Sequence, residues 1–139
     1  MNTIKNIFIA MTLSLFAITA FAHEGHDHDA PKGVVAPKGG LIKSLEQSYV
    51  EVVAKGQNLK VYFYDKDLKP QDATTYKVTA KAVKPRVKQH DSITFKASKD
   101  LLEADYDAKK VHRYTLELDI KDPKEDHADS LKFVIEPRK

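Results

Sequence analysis

Apolar and polar residues alternate in short segments from about residue 41 to the end of the chain. Leu59, Val61 and Phe63, for example, are each followed by a lysine or a tyrosine. Alternation with a period of two places one face of a segment in a core and the other in solvent, which is typical of half-buried β-strands. Segments of this kind begin at Leu41, Tyr49, Leu59, Tyr76, Ile93, Leu102, Tyr114 and Leu131.

Turn-forming residues separate these segments, and none of them has the 3.6-residue periodicity of an amphipathic helix. Pro70, Pro85 and Pro123 each mark such a turn. Seven or eight short strands within about 100 residues, each with one apolar face, are typical of an antiparallel β-sandwich of immunoglobulin-like type. We therefore predict an all-β, immunoglobulin-like antiparallel β-sandwich over residues 41–139.

The first 22 residues have the three parts of a secretory signal peptide. Lys5 provides a positive start, residues 7–18 are apolar, and residues 20–22 (Ala-Phe-Ala) form a small-x-small cleavage site. The apolar run is shorter than the roughly 20 residues that a bilayer span requires. We therefore expect cleavage after Ala22, export to the periplasm and no membrane anchor in the mature protein.

Residues 23–40 connect this signal to the predicted domain. The tetrad Ala-Pro-Lys-Gly occurs twice in this stretch, starting at Ala30 and at Ala36. Prolines and glycines at this density disfavour regular secondary structure. We expect residues 23–40 to form a flexible arm and linker that precedes a single domain.

The composition and the absence of known motifs exclude several classes of function. The chain contains no cysteine, so an exported domain has to rely on its hydrophobic core rather than on disulfides. Removing Lys5 with the signal leaves 22 basic residues against 20 acidic ones, and no nucleic-acid-binding motif is present. The sequence also lacks a nucleophile elbow, a phosphate loop and a dinucleotide fingerprint. We therefore predict that the protein does not bind nucleic acid and is not an enzyme.

Histidines and carboxylates are concentrated directly after the signal, in the sequence His-Glu-Gly-His-Asp-His-Asp of residues 23–29. Imidazole nitrogen is a common ligand for zinc, copper and nickel. Cleavage would also give the first of these residues a free α-amine, whose pKa is near 8, so that one residue chelates through two nitrogens. The predicted ligands are His23, His26 and His28, with Asp27 and Asp29 as optional oxygen ligands. The alternative is a solvated polar tail without a function.

The affinity order for nitrogen ligands favours Cu(II) for this arm, with Zn(II) and Ni(II) behind it. Because the arm has to be ordered on binding, we expect an exchangeable metal rather than a permanent one. A second, weaker metal site is predicted in the acidic segment at Asp126, His127 and Asp129. The alternative for that segment is a solvated loop between two strands.

Four segments carry a resemblance to a known family: Pro-Lys-Gly-Gly at 37–40, Val-Glu-Val-Val at 50–53, Val-Tyr-Phe-Tyr-Asp at 61–65, and Lys-Pro at 69–70. Together they resemble the amino-terminal β-sandwich of membrane-fusion adaptors in heavy-metal efflux systems of the cobalt-zinc-cadmium or copper type. They also resemble small periplasmic proteins with a histidine-rich start. Adaptors often have His-Gly-Gly where this chain has Lys38-Gly39-Gly40. No coiled-coil hairpin accompanies the segments, so the resemblance implies the metal-facing module alone.

These observations predict a periplasmic protein that binds a divalent transition metal and buffers it, or delivers it, beside a heavy-metal efflux adaptor or pump. An alternative from another class is an interaction module that docks a partner protein on its sandwich, with an incidental polar tail. A third reading is a small-ligand site on exposed tyrosines, with Tyr62 and Tyr64 as the aromatic platform.

Overall fold

The computed structural model describes residues 30–137, which form two antiparallel β-sheets and one short 3-10 turn, Ala73–Thr75. The predicted all-β sandwich is confirmed. The first sheet has the order β1-β2-β3-β7-β6 and the second the order β5-β4-β8-β9. The strands are β1 Leu41–Ser44, β2 Tyr49–Lys55, β3 Asn58–Tyr64, β4 Lys77–Val83, β5 His90–Ile93, β6 Lys96–Ala97, β7 Leu102–Asp105, β8 Tyr114–Lys121 and β9 Asp129–Ile135.

The core lies between the two sheets and is built from the alternating apolar residues of the strands. In β8, for example, Leu116, Leu118 and Ile120 are fully buried, while the residues between them are half-buried or exposed. Phe63 of the first sheet stacks on Tyr76, with the ring centroids 3.9 Å apart. Side chains from both sheets thus interdigitate in one core, which fixes the registers of the strands because a slip by one residue would turn each apolar face outward.

One predicted strand is wrong. Ile93, Thr94 and Phe95 have the alternation of a strand, yet β5 ends at Ile93 and β6 begins at Lys96. The chain leaves the second sheet at this point and joins the first, where β6 pairs with β7. Residues 93–95 keep the alternating pattern because the chain passes from one sheet to the other along the edge of the same core. This switch, together with the short β1 and β6, gives nine strands rather than seven or eight.

The linker residues that the structure describes form two turns. Val34 N–H donates to the carbonyl of Pro31, and Gly39 N–H donates to the carbonyl of Ala36. Gly33 and Gly39 both have a positive φ, at 79° and 73°, a conformation that favours glycine. Within residues 30–137, no helix has the length and apolarity that a membrane span requires.

Candidate metal centre

Two loops meet at one end of the sandwich, and each comes from a different sheet. Residues 45–48 connect β1 to β2, and residues 122–128 connect β8 to β9. The hydroxyl of Ser48 donates to Asp122 Oδ2 over 2.9 Å, and both side chains are buried. This hydrogen bond between buried groups fixes the distance between the two loops.

A tight turn follows Asp122 and determines where Glu125 lies. Glu125 N–H donates to the carbonyl of Asp122, and Lys124 N–H donates to the Asp122 side chain over 2.9 Å. Pro123 occupies the second position, where its fixed φ suits a type I turn, and an Asp is favoured at the first position. The Asp-Pro pair therefore stops β8 and directs the Glu125 side chain back toward the protein.

Lys66, from the loop after β3, fixes the other side of the centre. Its ammonium donates to the carbonyl of Leu45 over 2.7 Å and to the Ser44 hydroxyl over 2.9 Å, and it lies 4.4 Å from the centroid of the Tyr49 ring. Burial lowers the pKa of Lys66, and the nearby negative charge of Glu125 partly opposes that shift. Three bonding partners hold this amine against the β1–β2 loop, so the loop keeps a defined position.

Four side chains converge where these loops meet: Glu46, Glu125, His127 and Asp129, which we call the loop cluster. His127 Nε2 lies 3.4 Å from Glu125 Oε2, 3.5 Å from Asp129 Oδ1 and 3.9 Å from Glu46 Oε2. The ligand atoms of Glu46, Glu125 and His127 all lie within 4.8 Å of one another. One imidazole is thus surrounded by three carboxylates.

Glu125 is the exceptional member of the loop cluster. Its side chain is only 6% exposed, and both carboxylate oxygens are buried without a hydrogen-bond partner among the described residues. An ionised carboxylate that loses water without gaining donors is costly, and native proteins rarely leave such groups unpaired. Its nearest opposite charge is His127, and only when that imidazole is protonated. The buried oxygens of Glu125 therefore make the loop cluster a candidate cation site.

The loop cluster suits a divalent transition metal. In a tetrahedral zinc site with bonds of about 2.0–2.1 Å, the ligand atoms lie roughly 3.3–3.4 Å apart. The distance from His127 to Glu125 matches this spacing, while Glu46 has to move closer. The Glu46 side chain is 63% exposed and has the freedom to do so. Asp129 lies 3.5 Å from His127 but outside the group of ligand atoms that are all within 4.8 Å of one another, so it also has to move closer to complete the site. Imidazole nitrogen and carboxylate oxygen both occur as zinc ligands in proteins.

The structure brings together two of the three residues predicted from the sequence for a second metal site, and metal binding there stays a prediction. His127 and Asp129 lie together as expected, but Asp126 makes no ion pair with His127 in the described part of the chain. Glu125, from the loop before β9, takes its place, with its Oε2 3.4 Å from His127 Nε2. Glu46, which completes the group, was missed. The other predicted ligands, His23, His26, His28, Asp27 and Asp29, lie outside the described residues, as does the predicted signal peptide.

The proposed tyrosine platform is not formed. Tyr64 is buried, and its hydroxyl donates to Glu51 Oε2 over 2.8 Å. Burial and then this hydrogen bond raise the pKa of Tyr64, so the hydroxyl keeps its proton. Tyr62 is half-buried, and the ammonium of Lys38 lies 5.6 Å from its ring centroid. Only one of the two rings is thus partly accessible.

The electrostatics of Glu125 make a prediction for the metal-free protein. Burial raises the pKa of Glu125 above its ordinary value of 4.5, and Glu46 and Asp129 raise it further, while His127 opposes them. A carboxyl with a raised pKa in the folded state costs stability above that pKa, and costs nothing below its unfolded value. Glu125→Gln should therefore raise the free energy of unfolding at pH 7, and this gain should shrink as the pH falls toward 4.5.

Urea unfolding of the parent and of Glu125→Gln, in the presence of a chelator and between pH 4 and pH 8, measures this difference. A gain that is equal at both ends of the range, or a loss of stability at pH 7, would contradict the assignment of Glu125 as a buried and unpaired charge.

The side chains around His127 are thus one buried carboxylate at 3.4 Å and two outer carboxylates, those of Asp129 at 3.5 Å and Glu46 at 3.9 Å. No protein-family model, no curated protein and no solved structure matches this chain.

Proposed function

We propose that this protein is a non-enzymatic, exported β-sandwich that binds a divalent transition metal at the loop cluster. The observation that carries the proposal is the Glu125 carboxylate, which is buried beside His127 and accepts no hydrogen bond from a described residue. A bound metal ion would supply the positive charge that compensates for the burial of this carboxylate. The His127 side chain is 59% exposed, so an ion has a direct path to and from solvent. Such a site suits buffering or delivery rather than permanent structural binding.

The donor set favours zinc at this site. Imidazole suits zinc, copper and nickel, while carboxylates suit harder ions. Three carboxylates with one imidazole are richer in oxygen than Cu(II) prefers. The arm of residues 23–29 has the opposite balance, with three imidazoles and an expected α-amine. We therefore propose Zn(II) as the ion of the loop cluster and keep Cu(II) as the ion expected for the arm alone.

The strand order supports an immunoglobulin-like classification of the sandwich. In immunoglobulin constant domains, strands A, B, E and D form one sheet and strands C, F and G the other. Here β2, β3, β7 and β6 follow one another in the first sheet, and β4, β8 and β9 in the second. If β2, β3, β4, β6, β7, β8 and β9 are labelled A to G in chain order, the two sheets are ABED and CFG. Strands β1 and β5 are additional edge strands.

We further propose a periplasmic location and a heavy-metal efflux adaptor or pump as the partner. The export signal supports the location. The segments that resemble the adaptors share one hydrogen-bonded group in this structure, because Glu51 accepts from Lys38 N–H, Gly40 N–H and the Tyr64 hydroxyl. Residues from three of the four segments are thus held together as parts of one module.

Calorimetric titration of the mature chain, starting at His23, with Zn(II) tests the function. We expect Glu125→Gln to weaken the binding of one zinc ion at least tenfold, because the neutral amide removes the buried charge that holds it. Asp126→Asn is the matched control, since it removes one charge from the same loop without altering a ligand, and it should bind zinc like the parent. Equal zinc affinity in the parent and in Glu125→Gln would rule out the loop cluster as the metal site.

A further inference from the structure

We propose that one end of the sandwich binds the surface of membranes that contain anionic phospholipids. This end lies opposite the loop cluster, and the proposal does not depend on metal binding. Three observations carry it. Basic residues are concentrated on two neighbouring loops, the turns of these loops keep basic residues where glycine or asparagine would be less strained, and the charge of the fold changes sign from one end to the other.

Two loops form this surface, which we call the basic end. Residues 84–89 connect β4 to β5, and residues 106–113 connect β7 to β8. The Tyr106 hydroxyl donates to Asp91 Oδ2 over 2.7 Å, and the Lys84 ammonium lies 2.8 Å from the same oxygen, so the two loops are held together. They contain six basic residues against a single acidic one. The basic residues are Lys84, Arg86, Lys88, Lys109, Lys110 and Arg113.

Five of the six cations are available to a partner. The side chain of Lys84 is only 14% exposed, and its ammonium is used within the fold to pair with Asp91. The other five residues are exposed, and none of them forms an ion pair with another residue in the range 30–137. Val87, which is 48% exposed, lies between Arg86 and Lys88. The basic end thus presents accessible positive charge around one apolar side chain.

The first loop holds an arginine in a conformation that favours glycine. Val87 N–H donates to the carbonyl of Lys84, and Pro85 and Arg86 lie between them. Arg86 has a φ of 62°. A proline followed by a residue with positive φ is typical of a type II turn, in which glycine or asparagine is preferred at that second position. The arginine side chain is therefore kept at this turn against the preference of the backbone.

The second loop does the same with two lysines. Val111 N–H donates to the carbonyl of Ala108, and Lys109 and Lys110 between them have φ values of 49° and 68°. Positive φ at both central positions is typical of a type I′ turn, for which Asn-Gly is a preferred pair. Of the four non-glycine residues with positive φ in residues 30–137, three are basic residues of these two turns. Strain of this kind is retained where a side chain serves a function.

The charge of the fold is polarised along the strands. The two loops that form the loop cluster, residues 45–48 and 122–128, contain four acidic residues against one basic residue, the reverse of the basic end. Strand β8 joins the two ends, because it begins after residue 113 and ends before residue 122. An anionic surface therefore attracts the basic end and repels the other, so that the domain binds in one orientation. The loop cluster then faces away from the membrane.

The composition of the basic end favours a lipid surface over a protein segment. Protein interfaces usually have an apolar core within a polar rim, whereas the exposed large apolar residue in residues 84–89 and 106–113 is Val87 alone. Anionic lipid headgroups need no such core, because each lysine or arginine near the membrane surface increases binding by about fivefold through its charge. Five exposed cations at one end are thus sufficient for reversible, salt-dependent binding.

Co-sedimentation of the mature chain with phospholipid vesicles, in the presence of a chelator, tests the proposal. We expect binding to vesicles that contain phosphatidylglycerol, no binding to pure phosphatidylcholine, and a loss of binding as the salt concentration rises. Lys109→Asn with Lys110→Gly gives the preferred turn sequence and removes two charges. This double variant should have a higher melting temperature than the parent and bind the anionic vesicles at least tenfold more weakly. Lys96→Asn with Lys99→Asn is the matched control, because it removes the same charge from exposed positions outside the basic end, and it should bind like the parent.

Three results would overturn the proposal. The first is a parent protein that does not bind the anionic vesicles, or two double variants that bind them equally well. The second is binding to polyglutamate but not to vesicles, which would assign the basic end to an acidic polypeptide. The third is a lower melting temperature in Lys109→Asn with Lys110→Gly, since the stability of the turn would then explain the lysines. The proposed metal site lies at the other end, so its own test is unaffected by these results.

Discussion

Replacing Glu51 by alanine is expected to lower the free energy of unfolding by about 3 kcal/mol, because one buried and two partly buried donors lose their shared acceptor. The Glu51 side chain is fully buried on β2. Its Oε1 accepts from Gly40 N–H over 2.7 Å and from Lys38 N–H over 3.0 Å, and its Oε2 accepts from the Tyr64 hydroxyl over 2.8 Å. A buried donor without a partner costs about 1–3 kcal/mol. The substitution leaves one such donor, the Tyr64 hydroxyl, and two partly buried ones, the N–H groups of Lys38 and Gly40.

Urea unfolding of Glu51→Ala, Glu51→Gln and Glu103→Ala measures this effect. The amide should cost less than the alanine, because its oxygen still accepts part of the hydrogen bonds. Glu103 is a glutamate on an exposed face, with 48% of its side chain accessible, so its replacement should change stability by no more than about 0.5 kcal/mol. A loss below about 1 kcal/mol in Glu51→Ala would show that the Glu51 group contributes little to stability.

Glu51 also explains how the end of the linker is attached to the domain. A Cβ added at Gly40 would overlap the carbonyl oxygen of Val52, so the backbone approaches β2 more closely than any other residue type allows. Gly40 N–H donates to Glu51 at that point. Residues 38–40 thus enter β1 from a fixed position, and the chain that precedes them starts from a defined place on the sandwich.

Saturating the loop cluster with zinc is expected to raise the melting temperature of the mature protein by roughly 10 °C. A ligand at one hundred times its dissociation constant stabilises the folded state by about 2.7 kcal/mol, and 1 kcal/mol corresponds to about 4 °C or more in a domain of this size. The gain arises because the ion binds the folded arrangement of ligands around Glu125, which the unfolded chain does not provide.

His127→Ala should lose most of this zinc-dependent gain, since it removes the single nitrogen ligand of the loop cluster. His112→Ala is the matched control, because His112 is exposed on the loop before β8 and far from that cluster in the chain. Thermal melts followed by circular dichroism, with zinc and with a chelator, report both effects. A melting temperature that rises equally in the parent and in His127→Ala would assign the stabilisation to another site.

The two predictions assign different roles to two buried carboxylates of the same domain. At Glu51 a buried carboxylate has its hydrogen bonds satisfied by the chain, and it stabilises the fold. At Glu125 a buried carboxylate has none from a described residue, so we expect it to cost stability when it is ionised, and the proposed cation would offset that cost. Proteins commonly accept such a local cost where a functional site requires it.

The strands could be predicted from the sequence because the residues of each strand alone show which of its faces is apolar. Leu116, Leu118 and Ile120 mark the inner face of β8 without reference to any partner. The change of sheet after Ile93 could not be predicted in this way, since the alternation is the same whether the chain stays in one sheet or crosses to the other. Pairing with β4 or with β7 depends on strands that are distant in the sequence.

The same contrast holds for the loop cluster. His127 and Asp129 are visible in the sequence as neighbouring ligands, whereas the loop around Glu125 has no periodicity that would mark that residue as a third. Glu46 joins them only because the Ser48–Asp122 hydrogen bond and the contacts of Lys66 bring two distant loops together. The burial of Glu125 depends on that same packing. The ability of a side chain to bind metal is a property of the individual residue and can therefore be predicted from the sequence. The distance between two ligands and the burial of Glu125 are properties of the folded protein, because they arise only when the two sheets pack around the core.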